Sequence, residues 1–406
     1  MIGLLALAAA SLLQPVPARI AANPYGVEAQ AATGADAMIR EAVFGAPGAT
    51  AALAHWLDEH PDAAPDQRRA AFAVLCNLYG VYSWHALRAS ACASAPKEAD
   101  DDEGVAKALI ATAPIRTTGS VRVPLRWNDL GIQTIEADAD GVTLAWVVDT
   151  GAEISVLSQS SADRLKLHYV RGQFNVGTTT EDVSGRVAVI DLLHIGSATA
   201  ENVPVLVLPD AQLAVGGGHV LPAILGLPVL NAFRRVAWLD HAAYLALGEA
   251  APRSASASYR LYWHDDGAGI PVETPRGRQG AFLDTGANKS FLRRSGVALL
   301  SPLERASAVQ KRIGIGGAGG MVTRLQAEYP SLGFSVAGSA VRLDKISMDM
   351  RDDQGAAQFG MDLVRQFDLF LLDFEQMRIT ARRDLISHKG RARGGVPPSR
   401  TNPPSG

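Results

Sequence analysis

Trp146-Val-Val-Asp-Thr-Gly-Ala152 recurs later in the chain, with changes before the Asp, as Ala281-Phe-Leu-Asp-Thr-Gly-Ala287. In each copy an apolar run precedes an Asp-Thr-Gly-Ala motif. A short apolar run bounded by turn residues is typical of a buried strand, and Asp-Thr-Gly is typical of the turn that follows one. The two copies therefore predict two similar strand–turn units, with Asp149 and Asp284 at equivalent positions.

A glycine follows each motif at almost the same distance. Gly226 follows Ala223-Ile-Leu and lies 77 positions after Asp149 (226 minus 149), and Gly360 follows Gln358-Phe and lies 76 positions after Asp284 (360 minus 284). After each glycine comes a short helical stretch and then a strand that ends in Asp. These features occur in the same order at matched spacing, which indicates an internal duplication.

The paired motifs resemble those of the retropepsin-like aspartic peptidases. Members of this superfamily carry either one such unit, and dimerise, or two units in one chain, as pepsin does. The resemblance covers about residues 116–384. It implies a mainly β, bilobal acid-protease fold (a retropepsin/pepsin-like double β-barrel) with an added N-terminal α-helical region. Lobe 1 would be residues 116–250 and lobe 2 residues 251–384, here called the first unit and the second unit.

The resemblance also implies the site residues of an aspartic-type endopeptidase. Asp149 and Asp284 would be the catalytic pair. The supporting residues would be two threonines that bond across the lobes, two glycines that let the backbone pass close to the carboxylates, and two glycines at which a strand crosses the active-site loop. They are, in the same order, Thr150 and Thr285, Gly151 and Gly286, and Gly226 and Gly360.

Two adjacent carboxyl groups suit peptide hydrolysis because they cannot both be charged at low cost, so the pair shares one proton. The ionised member takes a proton from water, and the protonated member donates to the scissile carbonyl oxygen, which is the established pattern of aspartic proteases. This chemistry requires no cofactor and no metal ion, and we expect neither.

Glycine-rich hairpins between each motif and its downstream glycine are flap candidates. The first unit offers Gly177 and Gly185, and the second offers Gly314, Gly316 and Gly317. Such hairpins can bond an extended peptide through their backbone; the alternative for each residue is an ordinary surface hairpin. The run from Gly314 to Gly319 also fits a dinucleotide fingerprint, which we reject because a strand-like segment follows it.

Composition and the first residues bear on class and compartment. The 406 residues carry a formal net charge of -3, and this absence of a basic excess argues against a nucleic-acid partner. Residues 1–18 resemble a signal peptide, although no Lys or Arg precedes the apolar run; a buried N-terminal helix or a late start codon are the alternatives. We expect an exported protein, periplasmic or secreted, with no stable membrane span.

The remaining segments differ in periodicity and composition. Residues 23–110 have helical periodicity and could form a prodomain, a partner-binding module or a lid. Cys76 and Cys92 in this region could form a disulfide between two helices, or remain two buried thiols. Residues 385–406 are rich in Gly, Pro, Arg and Ser, which predicts a disordered tail.

Two alternatives remain open from the sequence. The chain could be a catalytically inactive peptide-binding or scaffold protein that keeps the bilobal fold; Glu153 and Asn288 depart from the family pattern, and Glu153 could perturb the pair or only face solvent. The two units could also pair with a second chain in a swapped dimer. We expect instead a monomer with intramolecular lobe pairing and a polypeptide substrate.

Overall fold

The computed structural model describes residues 20, 23–26, 31–96, 102–177, 182–254, 259–265, 267–275, 277–349 and 355–383. The predicted signal peptide, residues 1–18, and the predicted tail, residues 385–406, lie outside these residues. The structure is mainly β, with 42% strand against 28% helix, in agreement with the predicted class. No helix in the described ranges is long and apolar enough to cross a bilayer.

The N-terminal region consists of helices, as its periodicity predicts. A break at residues 60–64 separates the second helix from the third, which begins at Pro65, a residue well suited to a first helical turn. A disulfide between Cys76 and Cys92 joins the third and fourth helices. The helices are α1 Gly34–Val43, α2 Ala49–Glu59, α3 Pro65–Val81, α4 His85–Ser94 and α5 Asp102–Ala108.

The first unit contains fourteen of the strands in the described residues and two of the short helices. The helix α6 begins after Ser158, whose hydroxyl accepts from the Ser161 N–H and so caps it. The helices are α6 Gln159–Leu165 and α7 Leu227–Ala232. The strands are β1 Arg116–Thr118, β2 Val121–Pro124, β3 Arg126–Trp127, β4 Gln133–Ala139, β5 Val142–Val148, β6 Ser155–Ser158, β7 Phe174–Val176, β8 Val183–Ile195, β9 Ala198–Leu208, β10 Ala214–Val215, β11 His219–Val220, β12 Ala223–Leu225, β13 Arg235–Leu239 and β14 Tyr244–Leu247.

The second unit repeats this arrangement with ten strands. A capping box in which Ser301 and Glu304 bond each other's backbone begins its first helix. The helices are α8 Pro302–Ala306 and α9 Met361–Val364. The strands are β15 Tyr262–His264, β16 Gly267–Thr274, β17 Gly277–Leu283, β18 Phe291–Leu292, β19 Val309–Gly317, β20 Gly320–Val336, β21 Ser339–Met348, β22 Ala357–Phe359, β23 Leu369–Asp373 and β24 Arg378–Arg382.

The strand pairings of the two units follow the same cyclic order. In the first, β9-β6-β12-β5-β4-β8 closes through the β8–β9 pairing into a six-stranded barrel. In the second, β21-β18-β22-β17-β16-β20 runs in the corresponding order, and β20 pairs with both β21 and β16. The strand before each Asp-Thr-Gly-Ala motif pairs in parallel with the strand before each downstream glycine, β5 with β12 and β17 with β22.

A third sheet joins the two units. Its order is β2-β14-β13-β23-β24, and β13 of the first unit pairs antiparallel with β23 of the second from Arg235↔Asp373 to Leu239↔Leu369. The side chains of this pairing are largely buried; Trp238 and Phe370, for example, are both 0% exposed. Because neither unit supplies the whole sheet, the two units share one part of the core.

The helical region packs on both units. Tyr25 donates to the Arg260 carbonyl oxygen and makes an edge-to-face contact with Tyr262 of the second unit. On the first unit, the Asn231 side chain donates to the Val81 carbonyl oxygen at the end of α3, at 3.2 Å. The described residues of this region therefore contact both units.

Candidate active site

The two aspartates lie at equivalent ends of the two paired strands. Asp149 follows β5 and Asp284 follows β17, and the backbone N–H of each continues the parallel ladder. Asp149 donates to the Leu225 carbonyl oxygen at 3.0 Å, and Asp284 donates to the Phe359 carbonyl oxygen at 2.9 Å. The buried apolar run predicted before each motif therefore carries the aspartate to the edge of its sheet.

The threonines Thr150 and Thr285 cross between the units and are both fully buried. The Thr150 hydroxyl donates to the Leu283 carbonyl oxygen at 2.6 Å and accepts from the Thr285 N–H at 3.1 Å. The Thr285 hydroxyl donates to the Val148 carbonyl oxygen at 2.8 Å and accepts from the Thr150 N–H at 3.1 Å. Both hydroxyls are thus satisfied by the opposite unit, and this arrangement sets the distance between the two aspartates.

A buried glutamine that the sequence analysis missed supports this crossing. Gln133, which is 1% exposed, donates through Nε2 to the carbonyl oxygens of Val148 and Thr285 at 3.1 and 3.0 Å. Its Oε1 accepts from the indole N–H of Trp238, on the shared sheet, at 3.1 Å. Gln133 lies on the same face of β4 as Ile135 and Ala137, so the alternation could have indicated a buried polar residue, but not the partners that it bonds.

Gly151 and Gly286 lie against the opposite carboxyl groups. A Cβ at Gly151 would lie 2.9 Å from Cγ of Asp284, and a Cβ at Gly286 would overlap the carboxyl group of Asp149. The N–H groups of Gly151 and Gly286 both donate to Oδ1 of Asp149, at 2.7 and 3.3 Å. These glycines are therefore where the backbone passes close to the carboxyl groups.

Gly226 and Gly360 occupy a second close approach, where a strand end meets the loop after each motif. A Cβ at Gly226 would lie 2.8 Å from the Ala152 carbonyl oxygen, and one at Gly360 would lie 2.6 Å from the Ala287 carbonyl oxygen. Both distances are shorter than Cβ contacts in proteins, and the obstructing atoms are backbone, so any larger residue requires the loop to move.

A serine bonds each of these glycines. The Ser155 hydroxyl accepts from the Gly226 N–H, and the Ser290 hydroxyl from the Gly360 N–H, each at 3.0 Å. Ser290 also donates to the carboxylate of Asp362 at the start of α9. Alignment of the two copies could have found the serines, since each lies six residues after its aspartate.

The two carboxyl groups are half-buried, and each lies against the glycine of the opposite motif. Loss of hydration raises the pKa of Asp149 well above its ordinary value, and the charge of Asp284 raises it further, against the N–H groups of Gly151 and Gly286. Loss of hydration also raises the pKa of Asp284, but bonds from Asp149 and the Ala287 and Gly286 N–H groups oppose the rise. The pair therefore holds a proton more tightly than isolated carboxyl groups do.

The first flap candidate is a hairpin of β7 and β8. Gly177 follows β7, and residues 178–181 of the connection to β8 lie outside the described ranges. Gly185 lies on β8 opposite Phe174, where a Cβ would lie 2.8 Å from the side chains of Leu206 and Leu208. Gly185 therefore serves strand packing at the base of the hairpin.

The second flap candidate is the hairpin of β19 and β20. Gly314, Gly316 and Gly317 all lie on β19, with the turn at residues 318–319. The Gly319 N–H donates to the Gln212 carbonyl oxygen of the first unit at 2.8 Å, so the tip reaches across to the other unit. A strand follows the glycine run, and the structure thus agrees with rejection of the dinucleotide fingerprint.

The two departures from the family pattern both have partners. Glu153 accepts from the guanidinium of Arg88 on α4 at 3.2 Å, and Arg88 also bonds Asp102 at 2.8 Å. The Asn288 side chain donates to the Leu130 carbonyl oxygen at 2.7 Å. The sequence left open whether Glu153 perturbs the pair or faces solvent; the structure shows that it forms an ion pair with the helical region.

We expect Gly360→Ala to lower the free energy of unfolding by at least about 2 kcal/mol, since its Cβ meets backbone. Gly333→Ala is the control, because Gly333 is an exposed β-strand residue with nothing within 4 Å of an added Cβ; it should change stability by no more than about 0.5 kcal/mol. Urea titration of both variants measures the difference. Equal effects would contradict the close approach at Gly360.

We expect Asp149→Asn to be more stable than wild type at pH 7, with the gap closing as the pH falls. The pKa of Asp149 is higher in the folded chain than in the unfolded chain. Its contribution is therefore most favourable at low pH and is lost as the pH rises through the folded pKa. Urea titrations from pH 3 to pH 8 test this, with the exposed Asp191→Asn as control. A wild type that gained stability over Asp149→Asn as the pH rose would refute the expectation.

Comparison with known proteins covers part of the chain. A family model described as aspartyl protease matches residues 135–229. The matched span begins in β4, ends in α7, and includes Asp149 and Gly226. No curated protein matches the chain. The family match supports an aspartic protease, and hence a hydrolase, over the span that carries the first Asp-Thr-Gly-Ala motif.

Proposed function

We propose that this chain is an aspartic endopeptidase in which Asp149 and Asp284 activate a water molecule for peptide-bond hydrolysis. The observation that carries the proposal is the crossing of Thr150 and Thr285, beside which each carboxyl group lies against the glycine of the opposite motif. A pair that shares one proton offers a base and an acid at one point. The aspartyl protease match over residues 135–229 supports the same class.

The reaction needs only water and the pair. The ionised carboxylate takes a proton from water, whose oxygen bonds the carbonyl carbon, while the protonated carboxyl gives its proton to the carbonyl oxygen. Collapse of the resulting diol breaks the C–N bond, with one proton passing to the nitrogen and one returning to the pair. The products are an acid and an amine, and the pair ends as it began.

The second flap candidate supports a substrate class. The β19–β20 hairpin reaches from the second unit to the first, and its glycine-rich strand can approach an extended chain closely. A polypeptide lying between this hairpin and the pair would present its backbone carbonyl to the carboxyl groups. We therefore propose an extended polypeptide substrate, cleaved at internal bonds.

We expect Asp149→Asn and Asp284→Asn each to lower the rate of hydrolysis of an unfolded protein by about 10²- to 10⁴-fold, because each removes an acid or a base from the reaction. Asp191→Asn is the matched control and should keep full activity. The measurement is the appearance of new amino termini at several pH values. Full activity in both site variants would sink the proposal.

The same assay distinguishes the proposed peptidase from the alternative of a catalytically inactive peptide-binding protein. If the wild type also fails to hydrolyse the protein, yet binds a pepstatin-like inhibitor or a peptide, the chain is a peptide-binding protein that keeps the fold.

We also propose that one chain forms a complete bilobal double barrel and works as a monomer. The matching cyclic pairings of the two units, the crossed threonines and the β13–β23 pairing all occur within one chain.

We therefore expect the mass in solution to equal that of a single chain, 42.8 kDa, by light scattering. Specific activity should also stay constant on dilution. A swapped dimer, with units paired between chains, would instead show twice the mass and lose specific activity when diluted below its dissociation constant.

A further inference from the structure

The two units differ at one buried position beside the aspartates. The residue two before the downstream glycine is Ile224 in the first unit and Gln358 in the second, and each is 6% exposed. Both positions pair with the strand that precedes the aspartate, Ile224 with Val147 and Gln358 with Phe282. At this equivalent position of β12 and β22, the second unit therefore has an amide where the first unit has an aliphatic side chain.

Both the nitrogen and the oxygen of the Gln358 amide are hydrogen-bonded. Its Nε2 donates to Oδ2 of Asp284, and its Oε1 accepts from the guanidinium of Arg293 at 3.1 Å. Arg293 follows β18, is 8% exposed and lies over the ring of Phe282, 5.4 Å from its centroid. Because a guanidinium only donates, it fixes the amide with its oxygen toward Arg293 and its N–H toward Asp284.

Among the described residues of the first unit, no side chain donates to Asp149 in the way that Gln358 donates to Asp284. Ile224 has no donor, and Ser158 stands where the second unit has Arg293. Asp149 accepts backbone N–H groups from Gly151 and Gly286. The second aspartate accepts from the Ala287 N–H at 3.0 Å and, in addition, from an amide that is polarised by a cation. A donor favours the charged form of the carboxyl that it contacts.

We propose that Gln358, oriented by Arg293, is a positioning residue that holds Asp284 as the ionised carboxylate and leaves the shared proton on Asp149. The proposal rests on the proposed function and assigns the roles of base and acid to the two aspartates. Asp284 takes the proton from water, and Asp149 donates to the carbonyl oxygen.

Other charged groups near Asp284 leave this asymmetry in place. The bond from Asp149 and the charge of Arg293 both lower the pKa of Asp284. Asp362, on α9 behind the loop, accepts from Ser290, and Lys289 is exposed. The cation behind Gln358 is therefore the feature that distinguishes the two sides.

The test reads the ionisation order directly in the full-length chain. Carbon-13 labelling of aspartate carboxyl groups gives resonances that are assigned with Asp149→Asn and Asp284→Asn, and the wild type is titrated by NMR. Gln358→Met keeps the length of the side chain and removes the donor. The exposed Gln376→Met is the matched control. Thermal unfolding verifies that each variant is folded, and Gln358→Ile, which copies the first unit, replaces Gln358→Met if that variant does not fold.

We expect the Asp284 resonance to follow the lower of the two ionisation steps in the wild type. In Gln358→Met that step should move up by about one to two pH units, as loss of a bond to a charged group implies, and the acidic limb of kcat/KM should move with it. Gln376→Met should change neither. Ionisation of Asp149 first in the wild type, or an unchanged lower step in Gln358→Met, overturns the inference.

Hydrolysis is not needed for the NMR readout. A chain that shows the expected ionisation order but cleaves nothing would refute the proposed peptidase and leave the assignment of the proton standing. A chain that cleaves normally, but whose lower ionisation step does not change in Gln358→Met, would refute the role of Gln358 and leave the proposed peptidase standing. The two proposals therefore fail separately.

Discussion

The crossed hydroxyl bonds between Thr150 and Thr285 are the interaction on which the site depends. Both side chains are fully buried, so each hydroxyl must find its partners inside the protein. All of the bonds run to the opposite unit. Removal of one hydroxyl would leave a buried N–H and a buried carbonyl oxygen without that partner, at a cost of about 1 to 3 kcal/mol for each group.

This crossing constrains the residues around it. The strands that precede the threonines, β5 and β17, must end next to each other. The shared β13–β23 pairing and the bonds of Gln133 to Thr285 and Trp238 both favour this arrangement. The backbone next to each aspartate must also pass beside the other carboxyl group, which leaves room only for Gly151 and Gly286. The raised pKa of Asp149 follows, because a carboxyl group held beside another one and away from water resists ionisation.

The site residues that belong to the internal repeat could be predicted from the sequence. Asp149, Asp284 and the glycines occupy positions set by local strand and turn geometry, which a short motif records. Gln133 and Gln358 could not be predicted in the same way, because their roles depend on which distant residue packs against them. A comparison of the two copies does mark Gln358, since it is polar where Ile224 is apolar, but its link to Arg293 requires the fold.

The ion pair between Arg88 and Glu153 has a consequence for how the chain can be divided. Arg88 lies one turn before Cys92 on α4, and the disulfide to Cys76 ties that helix to α3. A shortened chain beginning at β1 would lack Arg88, which bonds Glu153 four residues after Asp149. It would also uncover the apolar cluster that Val105 and Leu109 form with Val156 and Ile224. The helical region therefore supplies both an ionic and an apolar partner to the unit that carries Asp149, and activity measured without the helices would describe a different surface beside the first motif.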